Sequence, residues 1–283
     1  MTRGVAWTAL VAVVGCSALP SEVTTETAGV SNGDAAASGT MTGSGSTIAD
    51  ETASAGDPDA MCGDGLIGLS EDCDDANDSE IDGCTQSCQF SPVGAAMLEP
   101  SSETDVVGGV DDAGSVAAID PCPQGQGLQG FTGTIDDQAF DQSGVVGRLT
   151  GQCATLDLVD DDPTALVFGP GTTLPTHGER GSREFSLMCP PGQLVAGLRG
   201  RAGGVIDQLR IACRSLEVEG QGSEQTIVVA TGQGDGPAGG DGGQSFGAVE
   251  CGDGQVAASI EVHANDFVLR VGLKCWTPRL VYP

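Results

Sequence analysis

From residue 122 onward the chain alternates apolar and polar positions. Leu194, Ala196 and Leu198 share one parity. After a glycine turn, Leu209, Ile211 and Cys213 share one parity while Gln208 and Arg210 take the other. The same run returns as Val256, Ala258, Ile260 and Val262, followed by Leu269, Val271, Leu273 and Cys275. It is present earlier as Val145, Gly147, Leu149 and Cys153. Period-two runs bounded by glycine predict half-buried strands. Convincing helical periodicity is absent, and residues 122–283 suffice for one sizeable core.

Each pair of runs lies inside a cysteine-bounded unit that opens Cys-x-x-Gly-Gln. The openings are Cys122, Cys189 and Cys251, and the closings are Cys153, Cys213 and Cys275. Three copies of one unit predict a three-fold domain in which each buries its apolar face against the other two. Only the middle copy carries Gly203-Gly204-Val205-Ile206-Asp207 at its turn.

The preceding residues read differently. Met1-Thr2-Arg3 is a short basic start, and Val5 to Gly15 is mostly apolar but too short to span a bilayer. Ser17 to Ala60 is Thr, Ser, Gly, Ala, Asp and Glu, which cannot bury enough surface to offset ordering and reads as a disordered tether. Four cysteines then fall within 62–90, and 91–121 is poor in large side chains and punctuated by Pro and Gly, which reads as a second linker. The expected organisation is a leader over 1–15, a tether over 16–61, a small cysteine-rich module over 62–90, a linker over 91–121 and a β domain over 122–283.

The net charge is −29, which argues against nucleic acid, since phosphate binding needs clustered Lys and Arg. It also disfavours docking on anionic head groups. Of eleven cysteines, setting Cys16 aside leaves an even ten, which fits an oxidising envelope compartment.

Three resemblances sharpen this picture. Val13-Val14-Gly15-Cys16 resembles the lipobox of bacterial lipoproteins, which implies cleavage before Cys16 and acylation of it. With Ser17 next, the resemblance implies an outer-membrane, surface-exposed lipoprotein held by its acyl chains. Cys62-Gly63-Asp64-Gly65, Glu71-Asp72-Cys73-Asp74-Asp75, Asn77, Asp82-Gly83-Cys84 and Cys88 resemble the Myxococcus cysteine-rich repeat, a disulfide module of myxobacterial surface proteins. So short a segment needs staples, and two disulfides among its four cysteines are expected, their pairing open.

The repeat domain resembles two β-prism families. The vitelline membrane outer layer protein shares the Cys-x-x-Gly opening and the closing Cys. The jacalin-related lectins share a longer stretch: Phe168-Gly169-Pro170-Gly171, a strand at Phe185, Leu194 to Gly200, and Gly203-x-x-x-Asp207. Both imply an all-β fold, a three-repeat β-prism of Greek-key sheets with disulfide-closed units Cys122–Cys153, Cys189–Cys213 and Cys251–Cys275. In the lectins Gly-x-x-x-Asp holds sugar, the Asp accepting from two adjacent hydroxyls. Carried over, Asp207 is the acceptor and Gly203, Gly204, Val205 and Ile206 supply the loop. Asp207 corresponds to Gly147 in the first copy and Leu269 in the last, so one full site remains at most.

Asp72, Asp74, Asp75, Asn77 and Asp82 crowd hard oxygens that suit Ca²⁺, although no EF-hand spacing is present; a solvated acidic surface is the competing reading. No other cofactor is implied. No nucleophile elbow, zincin motif or phosphate loop is present, and His177 and His263 read as exposed surface residues, so the chain reads as a binder and not an enzyme. The expected partner is a glycan or surface glycoconjugate. The alternative is a structural or adhesion module that binds protein.

Overall fold

The computed structural model describes residues 61–97, 102–109, 114–140, 144–159 and 164–283. The leader, the lipidation residue Cys16 and the tether as far as residue 60 lie outside the described residues. Ahead of the first repeat come β1 (Gly94–Met97), β2 (Ser102–Glu103), β3 (Val107–Gly108) and β4 (Val116–Pro121). The first and second units give β5 (Gln126–Asp136), β6 (Val145–Val159), β7 (Ala165–His177), β8 (Arg183–Met188), β9 (Gln193–Ala202) and β10 (Ile206–Glu219). Then follow β11 (Thr226–Thr231), β12 (Asp235–Gly239), β13 (Gln244–Glu250), β14 (Val256–Ala264), β15 (Val268–Trp276) and β16 (Pro278–Val281). Among the described residues helical structure is confined to 3-10 turns, one of them at Gly222–Glu224.

The strands form three large antiparallel sheets, β7-β6-β5-β8, β11-β10-β9-β13 and β2-β15-β14-β4, with β12 also on β10 and β3 also on β15. This is an all-β prism of three repeats. Each sheet is built on an inner hairpin, β5–β6, β9–β10 or β14–β15. One outer strand follows the closing cysteine, and the other directly precedes the next opening cysteine. The third hairpin takes its outer strands from ahead of the first repeat, with β2 and β3 on β15 and β4 on β14.

The expectation of a linker over 91–121 is therefore corrected. That segment supplies the edge strands that close the ring, and β1 pairs with β16 along Gly94–Val281 to Met97–Pro278. Its residues are small and largely exposed, so their alternation carries little hydrophobic signal. The cysteine-rich module is joined to the prism through the same strands. Ser91 N–H donates to Gly83 O at 3.1 Å and Val93 N–H to Val281 O at 2.8 Å.

The opening motif has a mechanical reason. In each unit a turn closes on the motif's last residue: Gln126 N–H to Pro123 O at 3.0 Å, Gln193 to Pro190 at 3.1 Å and Gln255 to Gly252 at 3.2 Å. The residue before it is Gly125, Gly192 or Gly254, with φ of 76°, 79° and 71°, as a type II turn demands at its third position. The glutamine side chain then fastens the hairpin base to an outer segment. Its Oε1 accepts from Thr172 N–H, Gln233 N–H and Ser102 Oγ in the three units.

Each first inner strand carries a bulge that leaves one residue unpaired: Gln129 in β5, Ala196 in β9 and Ala258 in β14. The freed carbonyls accept from Cys189 N–H at 2.9 Å, Cys251 at 2.8 Å and Cys122 at 2.8 Å. Disulfides join Cys122 to Cys153, Cys189 to Cys213 and Cys251 to Cys275, with Cα separations of 5.9, 5.8 and 5.5 Å. Each runs from the end of an outer strand in one sheet to an inner strand of the next. In the small module the pairs are Cys62–Cys88 and Cys73–Cys84.

Three apolar clusters fill the axis. The central one includes Phe131, Leu198, Leu209, Ile211, Ile260 and Leu273. The base cluster gathers Leu156, Leu194, Ala196, Leu216 and Val256 beneath Met97 of β1, with Trp276 and Leu280 against it. The tip cluster joins Val145, Val205 and Leu269, one from each hairpin, with Phe267 and Ala139 packed on it.

Candidate functional site

Asp207 lies at the tip of the second hairpin, at the opposite end of β9 from the Cys-x-x-Gly-Gln turn and the small module. Ten residues of strand at about 3.3 Å each separate the two ends by roughly 30 Å. The turn that carries it is tight, with Gly203 N–H donating to Val205 O at 3.0 Å. Gly203 and Gly204 are exposed. Val205 is in the tip cluster and Ile206 is fully buried in the central core, so these two present backbone and not side chain to the surface.

A glycine loop at residues 240–243 covers the turn from one side. Gly240 N–H donates to Asp207 O at 2.9 Å and to Gly144 O, on the first hairpin's tip, at 3.0 Å. Arg201 straps the loop down, its Nε donating to Gly242 O and its Nη2 to Gly243 O, both at 2.8 Å. Gln208 Nε2 donates to Gly240 O at 3.0 Å. A Cβ at Gly243 would collide with Asp207 Oδ2, so glycine is required there twice over, by this approach and by its φ of 58°. On another side Gly109 comes so near Gly204 O that a Cβ could not fit.

Asp207 is 6% exposed, and its Oδ2 has no hydrogen-bond partner. Burial pushes its carboxyl above the usual carboxylate range, while the Gly203 N–H and the Arg201 charge partly oppose the rise. A buried acceptor left unmatched costs about 1–3 kcal/mol.

The three tips are equivalent in space. Gly108, Gly178 and Gly239 each approach one carbonyl, that of Leu269, Gly147 and Asp207 respectively, all with positive φ. The register thus places Gly147 and Leu269 where Asp207 stands, and neither has an acceptor side chain. The first and third tips instead bring Phe140 and Phe267 together, ring centroids 5.4 Å apart, with Phe140 exposed. Sequence reading missed this aromatic pair and the 240–243 loop. The three-fold repeat held the signal for the pair, since it requires all three tips to meet on one axis.

No protein-family model matches the chain, and no curated protein matches it in sequence. Several solved structures resemble it. A mannose-specific jacalin-related lectin from Morus nigra, in complex with mannose, is 16% identical over 65% of this chain and 96% of its own, with a TM-score of 0.39. Frutapin, a lectin from Artocarpus incisa, is 11% identical over 64% and 99%, with a TM-score of 0.40. Artocarpin in complex with mannotriose is 13% identical over 62% and 98%, with a TM-score of 0.36.

The acidic residues of the small module do not gather around one point. Asp74 accepts from the amides of Gly63 and Gly65 at 2.7 and 2.8 Å. Asn77 Nδ2 donates to Asp82 Oδ2 at 2.7 Å, and Asp75 Oδ1 accepts from Asn77 N–H at 2.9 Å. Among the described residues the one group with metal-ligand spacing is Glu71, Asp74 and Cys88, and Cys88 is in a disulfide. Within the expected calcium set of Asp72, Asp74, Asp75, Asn77 and Asp82, the side chains of Asp74, Asp75, Asn77 and Asp82 thus bond the module's own backbone and one another.

Both histidines are less exposed than the sequence suggested. His177 Nε2 meets Asp120 Oδ2 at 2.5 Å, tying β7 of one sheet to β4 of another. His263 meets Glu261 at 3.2 Å, and Glu261 also pairs with Lys274 at 2.9 Å.

Proposed function

We propose that this chain is a lipid-anchored surface protein whose prism takes a saccharide at the tip of its second hairpin. The observation that carries the reading is Asp207 Oδ2, a buried acceptor without a partner beneath a turn walled by Gly203, Gly204 and Gly243. Pairs of vicinal hydroxyls suit such an acceptor, because both can donate to one carboxylate and charge strengthens both bonds. The glycines leave backbone N–H groups without Cβ atoms over them, which lets a ring come close. The likeness of Val13-Val14-Gly15-Cys16 to a lipobox supports anchoring at Cys16, and that of residues 62–88 to the Myxococcus repeat supports a bacterial cell surface. With the module at the base and Asp207 at the tip, the site faces away from the tethered end.

A protein-binding adhesion role is the second reading. It is favoured by Met61, Leu66, Ile67 and Leu69, four apolar side chains that the small module leaves exposed.

A glycan array separates the two. The full chain is expected to bind a subset of glycans, and Asp207→Ala to lose that binding with its fold intact by circular dichroism. Equal binding by the variant would remove Asp207 from any sugar site, and no glycan bound would favour the adhesion reading.

A further inference from the structure

Opposite charges are plentiful here, with 40 Asp and Glu against 11 Lys and Arg. Carboxylates accordingly hold Arg180, Arg183 and Lys274, through Asp266, Asp137, Glu103 and Glu261. Arg199 and Arg210 are not held in this way. Arg199 of β9 is directly opposite Arg210 of β10 in the register, on the outward face of the second sheet. Like charges in that relation repel. Arg199 has no partner among the described residues, and Arg210 has only Gln208 Oε1 at 3.4 Å.

The surroundings keep both heads available. Arg201, opposite Gln208 in the next row, is spent on the carbonyls of Gly242 and Gly243. Arg214 is fixed by the carbonyls of Cys251, Gly252 and Gln255 and lines a cleft of 230 Å³ together with Arg199 and Glu250, beside which Arg210 stands one strand across from Arg199. Ala196, Ala212, Gly232 and Gly234 line that cleft with small side chains. The neighbouring acids do not neutralise the pair. Glu250 is 3.9 Å from Arg214, and Asp235 is occupied by the amides of Met188 and Gly236.

We infer that Arg199 and Arg210 form a binding site for an oxyanion, such as the sulfate group of an acidic saccharide. Two guanidinium groups on neighbouring strands of one sheet face supply N–H donors of the kind that match the oxygens of sulfate or phosphate. The anion removes the repulsion that the pair otherwise carries. The site lies on a sheet face and is separate from the Asp207 turn, so it stands whether or not that turn binds sugar. With a net charge of −29, the chain as a whole repels polyanions, so their attachment requires a local site of this kind.

The test is calorimetry of the full chain with dextran sulfate, with unsulfated dextran of equal length and with sodium sulfate, at low salt. Dextran sulfate is expected to bind, unsulfated dextran not to, and Arg199→Gln/Arg210→Gln to weaken binding by about tenfold or more. If sodium sulfate gives the same heat, the anion alone is the ligand; if only the polymer does, the anion is read on a saccharide. As a second readout, replacing chloride by sulfate at equal ionic strength should raise the Tm of the parent by more than that of the double variant, since general exclusion of sulfate acts on both alike. No binding of dextran sulfate or sodium sulfate by the parent, or binding by the double variant equal to the parent's, overturns the inference.

Discussion

Cys122 N–H donates to Ala258 O at 2.8 Å, joining the first residue of the first unit to the bulge of the last. The equivalent bonds, Cys189 to Gln129 and Cys251 to Ala196, join units that follow one another in the chain. The Cys122 bond alone connects the two ends of the repeat array, and β4 beside it pairs Val116–Pro121 with Ser259–Ala264. Ring closure therefore depends on residues ahead of the first repeat.

A truncation that begins at Cys122 tests that dependence. It strips β2, β3 and β4 from the third sheet and leaves both edges of β14–β15 open, a template for aggregation. The truncated chain is expected to aggregate or to unfold at markedly lower urea than one beginning at Met61. Size-exclusion chromatography and urea melts of the two would read this directly.

Each disulfide restrains a loop of 24 to 31 residues, which the chain-entropy model values at about 3.5 kcal/mol. Replacing Cys189 and Cys213 together by Ala is expected to cost about 2–5 kcal/mol, with similar losses for the other two pairs. Denaturant midpoints measure it. A loss confined to one pair would contradict the equivalence of the three corners.

Asp207 imposes a pH dependence of definite sign. Burial raises its carboxyl above the unfolded value of about 4, so between the two values the folded chain holds more protons than the unfolded one. Its contribution to stability thus falls as pH rises through that window and stays low above it. Asp207→Asn removes the penalty. At neutral pH the variant should be at least as stable as the parent, with the advantage fading toward pH 4. Urea midpoints across that range check it, and parallel curves would show that the carboxylate is not buried.

Much of the domain was legible. The glycine of each opening motif announces a turn that needs positive φ, and the position of Asp207 against Gly147 and Leu269 follows from counting back to the closing cysteines. Three features were not. Parity reading puts Leu194, Ala196 and Leu198 on one face, but the bulge at Ala196 shifts the register, so Leu194 and Ala196 enter the base cluster while Leu198 enters the central core. The strands of 102–121 are short and built from small residues, and their partners β14 and β15 lie far along the chain. The glycine loop at 240–243 approaches Asp207 only after the second sheet has folded.

The central claim is that a saccharide is held at the Asp207 turn. Its most direct measurement is an amide NMR titration of the isotopically labelled chain with the best glycan from the array. Shifts concentrated at Gly203, Gly204, Val205 and Gly243, absent in Asp207→Ala, are the predicted result. Shifts that leave these four amides unmoved, or that persist in the variant, would contradict it.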